Sequence, residues 1–165
     1  LISCNEKSGK DTIASSNSSA SNTTDDRKQM EANSEQVYRA IETGNFTGID
    51  TTMAPDIIEH SGPHGEIKGR DSVIASLKQI SVMNKNVKVE TLARSYDPAT
   101  GYIFSMVRRT GTTVTPMDGM PANTPYDVTA VDVVKVKDGK ATEHWGYVDP
   151  NAMMKMMGKQ PGEKK

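Results

Sequence analysis

Two residues of this chain have the types and spacing to move a proton. In "VDVVKVKDGKATEHWGYVD", residues 131–149, Asp132 stands among valines and His144 lies in the next apolar run, across a short turn. A carboxylate beside an imidazole in an apolar cavity holds the ring in one tautomer and raises its pKa, or takes a proton itself. The bland alternative is two polar groups on strands that face water or satisfy each other. Register decides between these. If Asp138 and Gly139 form a two-residue loop, Lys137 pairs with Lys140 and Asp132 lies opposite Trp145. If Lys137 to Gly139 form a three-residue turn with a left-handed glycine, Val136 pairs with Lys140 and Asp132 lies opposite His144. We favour the second, because it avoids two lysines facing each other. Ala130, Asp132, Val134, His144 and Gly146 then share one face. A slip of one residue would separate the pair, since side chains alternate along a strand.

The elements that must position this pair can be read along the chain. Met30, Val37, Ala40 and Ile41 recur at helical spacing, and Gly44 is placed as a C-terminal cap. Phe46, Ile49 and Met53 suggest a second, shorter helix stopped before Pro55. "DIIEHSGPHGEIKG" reads as a short strand entering a glycine-rich turn. A third helix follows, with Asp71 or Ser72 as N-cap and Val73, Ile74, Leu77 and Ile80 as its apolar stripe. From Asn86 the period changes to two, and four strands follow: "NVKVETLARSY", "YIFSMVRRTGTTV", "YDVTAVDVVKV" and "KATEHWGYV". Asp149 and Pro150 are a natural N-cap and first residue for a terminal helix, "NAMMKMMG". Helices followed by hairpin-linked strands imply an α+β fold, a curved, mainly antiparallel (mixed) sheet wrapped around N-terminal helices. Such a sheet encloses a cone-shaped pocket, the default ligand site.

Composition removes several function classes. A net charge of -1 gives no electrostatic pull toward nucleic acid. Two Phe and one Trp offer no platform for stacked bases. No stretch approaches the roughly 20 apolar residues of a membrane-spanning helix. The chain starts "LISC", an apolar run and a small residue before its one cysteine, which resembles a bacterial lipobox. On that reading residues 1–3 are the end of a signal peptide, and Cys4 carries the lipid that attaches the protein to a membrane of the bacterial cell envelope, in the periplasm or at the cell surface. Residues 4–28, rich in Ser, Asn and Thr, are then a disordered tether, and 159–165 a disordered tail.

"YRAIETGNFTGIDTTMAPDIIEH", "GEIKGRDSVIASL" and the "DGK…EHW…D" tail resemble the SnoaL-like group of the nuclear transport factor two-like superfamily, over about residues 30–158. The domain is accordingly set at 29–158. The resemblance implies a conical pocket for a small molecule, homodimerisation through the sheet and no cofactor. It implies Asp132 in the acid/base position with His144 nearby, and His60, of "EHSGPHG", at the pocket mouth facing Asp132. The superfamily holds cyclases, isomerases, hydrolases and noncatalytic members, so the reaction does not follow from the fold. Tyr38, Met53, Phe104, Met106, Arg108 and Val134 are assigned to the ligand-binding wall. Arg108 shares a strand face with Tyr102, Phe104 and Met106, and Arg109 lies on the other, so a regular strand turns one of the two inward. An inward arginine suits an anionic or carbonyl-bearing ligand. No metal site is assigned: His60 and His64 flank Gly62 and Pro63, which is not a helical ligand pair. The methionines of the last helix read as a soft apolar surface.

Overall fold

The computed structural model describes residues 19–116 and 120–156, with side chains from residue 27 onward. Cys4, most of the expected tether and the 159–165 tail lie outside the described residues. Helix α1 spans Ser19–Thr43, so it begins inside the stretch expected to be tether. Side chains four residues apart brace its early turns: Arg27 pairs with Glu31 at 2.8 Å and Gln29 donates to Asn33 at 2.9 Å. Gly44 ends the helix in the left-handed conformation, φ 72°, its N–H reaching the Ala40 carbonyl.

The expected second helix shrinks to one 3-10 turn, Ile49–Thr52, and the chain then enters strand β1, Met53–Glu59. Pro55 therefore does not stop a helix; it sits inside a strand. It can do so because β1 pairs with its neighbour at Met53 and again only at Ile58, so the irregular stretch between requires no ladder N–H from proline. Strand β2, Ile67–Lys68, folds back antiparallel on β1, and helix α2 follows over Arg70–Met83. Gly69, and neither Asp71 nor Ser72, occupies the N-cap, with no side-chain cap. Strands β3 (Asn84–Asp97), β4 (Tyr102–Thr113), β5 (Pro125–Lys137) and β6 (Lys140–Val148) form an antiparallel meander, and α3 covers Pro150–Met156. Asp149 caps α3 through its carboxylate, which accepts the Asn151 N–H at 2.9 Å.

The sheet order is β2-β1-β6-β5-β4-β3, with β1 parallel to β6 and the other pairs antiparallel. The expected α+β architecture with a curved mixed sheet is what the structure has. Its inner face packs on the helices through Ala40, Ile49, Met53, Ile57 and Val73, and through Tyr38, Val107 and Ala130. Strand β4 sorts its side chains strictly: Ile103, Ser105 and Val107 are buried while Phe104, Met106 and Arg108 are exposed.

The last hairpin corrects the register argument in an unexpected way. Asp138 and Gly139 are both left-handed, φ 51° and 71°, and Lys137 pairs with Lys140, so the turn is the two-residue kind that was disfavoured. That turn alone would set Asp132 opposite Trp145. Between Val136–Ala141 and Lys135–Glu143, however, Thr142 is an extra residue on β6, and its hydroxyl donates to the Lys135 carbonyl at 3.2 Å. The bulge shifts the ladder by one more residue. Asp132 ends opposite Gly146, His144 opposite Val134, and the two polar groups sit diagonally on one face. Because Thr142 has no ladder partner, deleting it should make the ladder regular and leave His144 opposite Val134 on the inner face; by NMR its imidazole pKa should stay raised.

Candidate active site

Asp132, 1 % exposed, is the most deeply buried charged residue among the described residues, and donors and cations surround it. Strand β4 sends Arg109 inward, and its Nη2 lies 2.6 Å from each Asp132 oxygen. Helix α1 presents Tyr38, whose hydroxyl donates to Asp132 at 3.0 Å. His144 Nε2 stands 3.6 Å from Asp132, a charge contact longer than a hydrogen bond. The other ring nitrogen, Nδ1, is in short contact with Glu59 of β1. Glu59 is held in turn by the Ser61 N–H at 2.7 Å, and the Ser61 hydroxyl accepts from Gly146 N–H. The centre is thus a quartet of two carboxylates, one guanidinium and one imidazole, neutral overall when the imidazole is protonated.

Burial works against every charge in this quartet, and the neighbouring charges outweigh it. Desolvation would raise the Asp132 carboxyl, but His144, Arg109 and Tyr38 bring it down to about 2. Desolvation would likewise lower the His144 imidazole, yet Asp132 and Glu59 push it up to about 9. Glu59 is held below its usual range against burial by His144 and Ser61. Tyr38 is pushed upward, first by burial and then by the Asp132 charge, and so remains a donor. At neutral pH His144 is an imidazolium between two carboxylates.

These groups form one end of a cavity of about 100 Å³, lined otherwise by apolar side chains including Met30, Val37, Met53, Ile57, Ile103 and Val134. Asp132, His144, Tyr38, Met53 and Val134 all reach this cavity. Phe104, Met106 and Arg108 do not. They lie on the outer face, Phe104 45 % and Met106 41 % exposed, and Arg108 pairs there with Asp127 at 2.8 Å. The bulky residues of β4 suggested a ligand wall, but the alternate set, Ile103, Ser105 and Val107, faces the small residues Val134, Asp132 and Ala130 of β5. Parity then assigns Arg109 to the site.

His60 is also on the outer face. Its ring stacks on Trp145 at 4.4 Å and its nitrogens contact Glu66 at 2.9 Å and Glu143 at 3.0 Å, so it does not face Asp132. Its neighbour Glu59 takes the inward place. The signal was present in the sequence: Met53, Ile57 and Glu59 share the parity of one strand face, which puts His60 on the other. Among the described residues no group of three His, Cys, Asp or Glu side chains is arranged to hold a metal ion.

A profile of the SnoaL-like polyketide cyclase family matches residues 32–157. The chain belongs to that family. Compared by sequence with curated proteins, it matches none. Its fold is similar to that of TsrD from Streptomyces laurentii, with a TM-score of 0.69 and 17% identity over 80% of this chain and 96% of that one. A candidate polyketide cyclase from Xanthomonas campestris superposes with a TM-score of 0.68 and 14% identity, covering 80% and 98% of the two chains. IdmH from Streptomyces antibioticus, also a candidate polyketide cyclase, gives 0.63 and 19% over 79% and 99%. At these identities the likeness is one of fold, and the quartet must be judged by its own chemistry.

The raised and lowered pKa values carry a stability consequence of opposite sign for the two groups. His144 is raised from 6.5 to about 9, so its contribution is complete below pH 6.5 and lost as pH rises through 9. Asp132 is depressed from 3.8 to about 2, so its contribution is complete above pH 3.8 and lost as pH falls through 2. Urea unfolding at pH 6 and at pH 9.5 should differ by on the order of 2–3 kcal/mol, and His144→Gln should flatten that difference.

Proposed function

We propose that this SnoaL-like domain binds a small carbonyl-bearing molecule in its conical pocket and acts on it by cofactor-free acid/base chemistry of the cyclase or isomerase type. The observation that carries this reading is the imidazolium of His144 at the polar end of an apolar cavity, with Arg109 beside it. A carbonyl oxygen placed there meets two cationic donors, which favour an enolate-like oxyanion over the neutral ketone. His144 is the proton donor, through Nε2. Asp132, buried and committed to Arg109 and Tyr38, is a positioning group that fixes Arg109 and raises His144; the base role expected for it passes to a water molecule, which takes the α-proton as His144 protonates the carbonyl oxygen. Glu59 holds the ring from the far side. Catalysed exchange of ketone α-protons for deuterium, followed by NMR, tests this. Exchange should persist to about pH 9, vanish in His144→Gln, and in Asp132→Asn decline at lower pH because the imidazolium loses a charge that supports it. Exchange unchanged in His144→Gln would remove the assignment.

One observation favours the alternative of a noncatalytic binding module. Both carboxylates are held below their usual range by cations, which leaves neither a strong base at neutral pH. Saturable ligand binding without deuterium exchange would mark that outcome.

Cys4 is proposed to carry a lipid, on the strength of "LISC" and the Ser/Asn/Thr-rich run behind it. The outer sheet face, with Phe104, Met106 and Tyr147 exposed, is proposed to pair with a second copy. Both are checked on the full-length gene product in a bacterial host. Palmitate labelling should disappear in Cys4→Ala, and Phe104→Glu should convert a sedimenting dimer to monomer.

A further inference from the structure

The chemistry proposed above says little about how large the ligand is, and the cavity does. We infer that it takes a compact, neutral carbonyl compound of about four to six carbons, rather than a polycyclic polyketide. This rests on the functional reading just given and narrows its substrate class. An apolar cavity of about 150 Å³ accommodates a benzene ring, whereas drug-sized molecules occupy about 300–1,000 Å³. The cavity here is about 100 Å³.

The walls give little room for expansion. On the sheet side Met53, Ile57 and Ile103 are at most 4 % exposed and sit on paired strands. On the other side lies α1, and four of its side chains tie it to the sheet and to the turn between β5 and β6. Tyr38 donates to Asp132 at 3.0 Å, and Asn33 to the Gly139 carbonyl at 3.0 Å. Glu35 accepts from Arg94 at 2.9 Å, and Glu42 from the Val89 N–H at 2.7 Å. A multi-ring ligand would have to break several of these together, and the Tyr38 tie is itself part of the buried Asp132 centre.

The polar end also selects by hydrogen-bonding type. Asp132 already accepts from Arg109 and Tyr38, and Glu59 from His144 and Ser61. The acceptors are therefore spoken for, and what the cavity presents is donors: His144 Nε2 and the Arg109 guanidinium. A carbonyl oxygen satisfies them. An alcohol brings a hydroxyl proton that must compete at this end for carboxylate oxygens already engaged, and a carboxylate brings a negative charge next to Asp132 and Glu59, which repel it. The quartet is already neutral, so a neutral ligand keeps it so.

The experiment uses the whole chain, with the imidazole signals of His144 as the NMR reporter. The probes are cyclopentanone, cyclopentanol, cyclopentanecarboxylate and 1,8-dihydroxyanthraquinone. Cyclopentanone should shift those signals saturably and bind about tenfold more tightly than cyclopentanol, the worth of one hydrogen bond from a charged donor. The carboxylate and the anthraquinone should leave the signals in place. Val73→Phe, which fills the cavity from α2, an element that contributes no member of the quartet, should weaken cyclopentanone binding by about tenfold or more while the raised His144 pKa is retained. If the anthraquinone binds at His144, the size limit is wrong while the acid/base pocket stands. If the alcohol binds as well as the ketone, the carbonyl selection is wrong. If no probe moves the His144 signals, both this inference and the functional reading fall.

Discussion

A single buried carboxylate organises this protein. Asp132 cannot stay ionised in an apolar interior unless donors and cations surround it, and each comes from a different element: Arg109 from β4, Tyr38 from α1 and the charged ring of His144 from β6. Satisfying one charge therefore fixes a helix and three strands relative to one another. The same demand keeps Tyr38 protonated and His144 charged, so the centre's electrostatics and the fold's geometry are one constraint. Glu59 extends it to β1, the strand that pairs parallel to β6 and completes the inner wall.

The bulge at Thr142 is what permits the arrangement. A two-residue hairpin with left-handed Asp138 and Gly139 matches the twist of the strands, but in a regular ladder it would put Asp132 and His144 on opposite faces. Setting Thr142 aside from the ladder as a bulge restores the parity. The local turn chemistry and the placement of the pair are thereby both satisfied, at the expense of a regular ladder over one step.

The two faces of the sheet carry separate polar chemistry. Inside, the quartet is desolvated and its charges are strongly coupled. Outside, Lys135 pairs with Glu143, and His60 makes polar contacts with Glu143 and Glu66 while stacking on the Trp145 ring, where solvent weakens each contact. Adjacent residues of β1 and β6 divide between these settings: Glu59 and His144 inward, His60 and Glu143 and Trp145 outward. The alternation of a strand thus gives neighbouring residues with similar side chains quite different electrostatic surroundings.

Periodicity and turn residues were enough to place α1, α2, the four meander strands, the Asp149 cap and the inner face of β5, because these depend on contacts close in sequence. The family resemblance was legible for the same reason. The short residues 46–53 misled, since a helical spacing over one turn is overridden once β1 finds β6 some ninety positions later. Arg109 and Glu59 were both reachable by parity, but choosing the inward face required knowing what each face would pack against, and bulky Phe104 and Met106 argued for the wrong one. By itself the sequence determined that a carboxylate and an imidazole would lie in an apolar sheet behind a helix. Only the tertiary structure decided that the carboxylate is already neutralised by Arg109, that the imidazole carries the available proton, and that the space beside them is small. Those properties arise from groups brought together across the chain, where desolvation and Coulomb attraction act over a few ångströms whatever the separation in sequence.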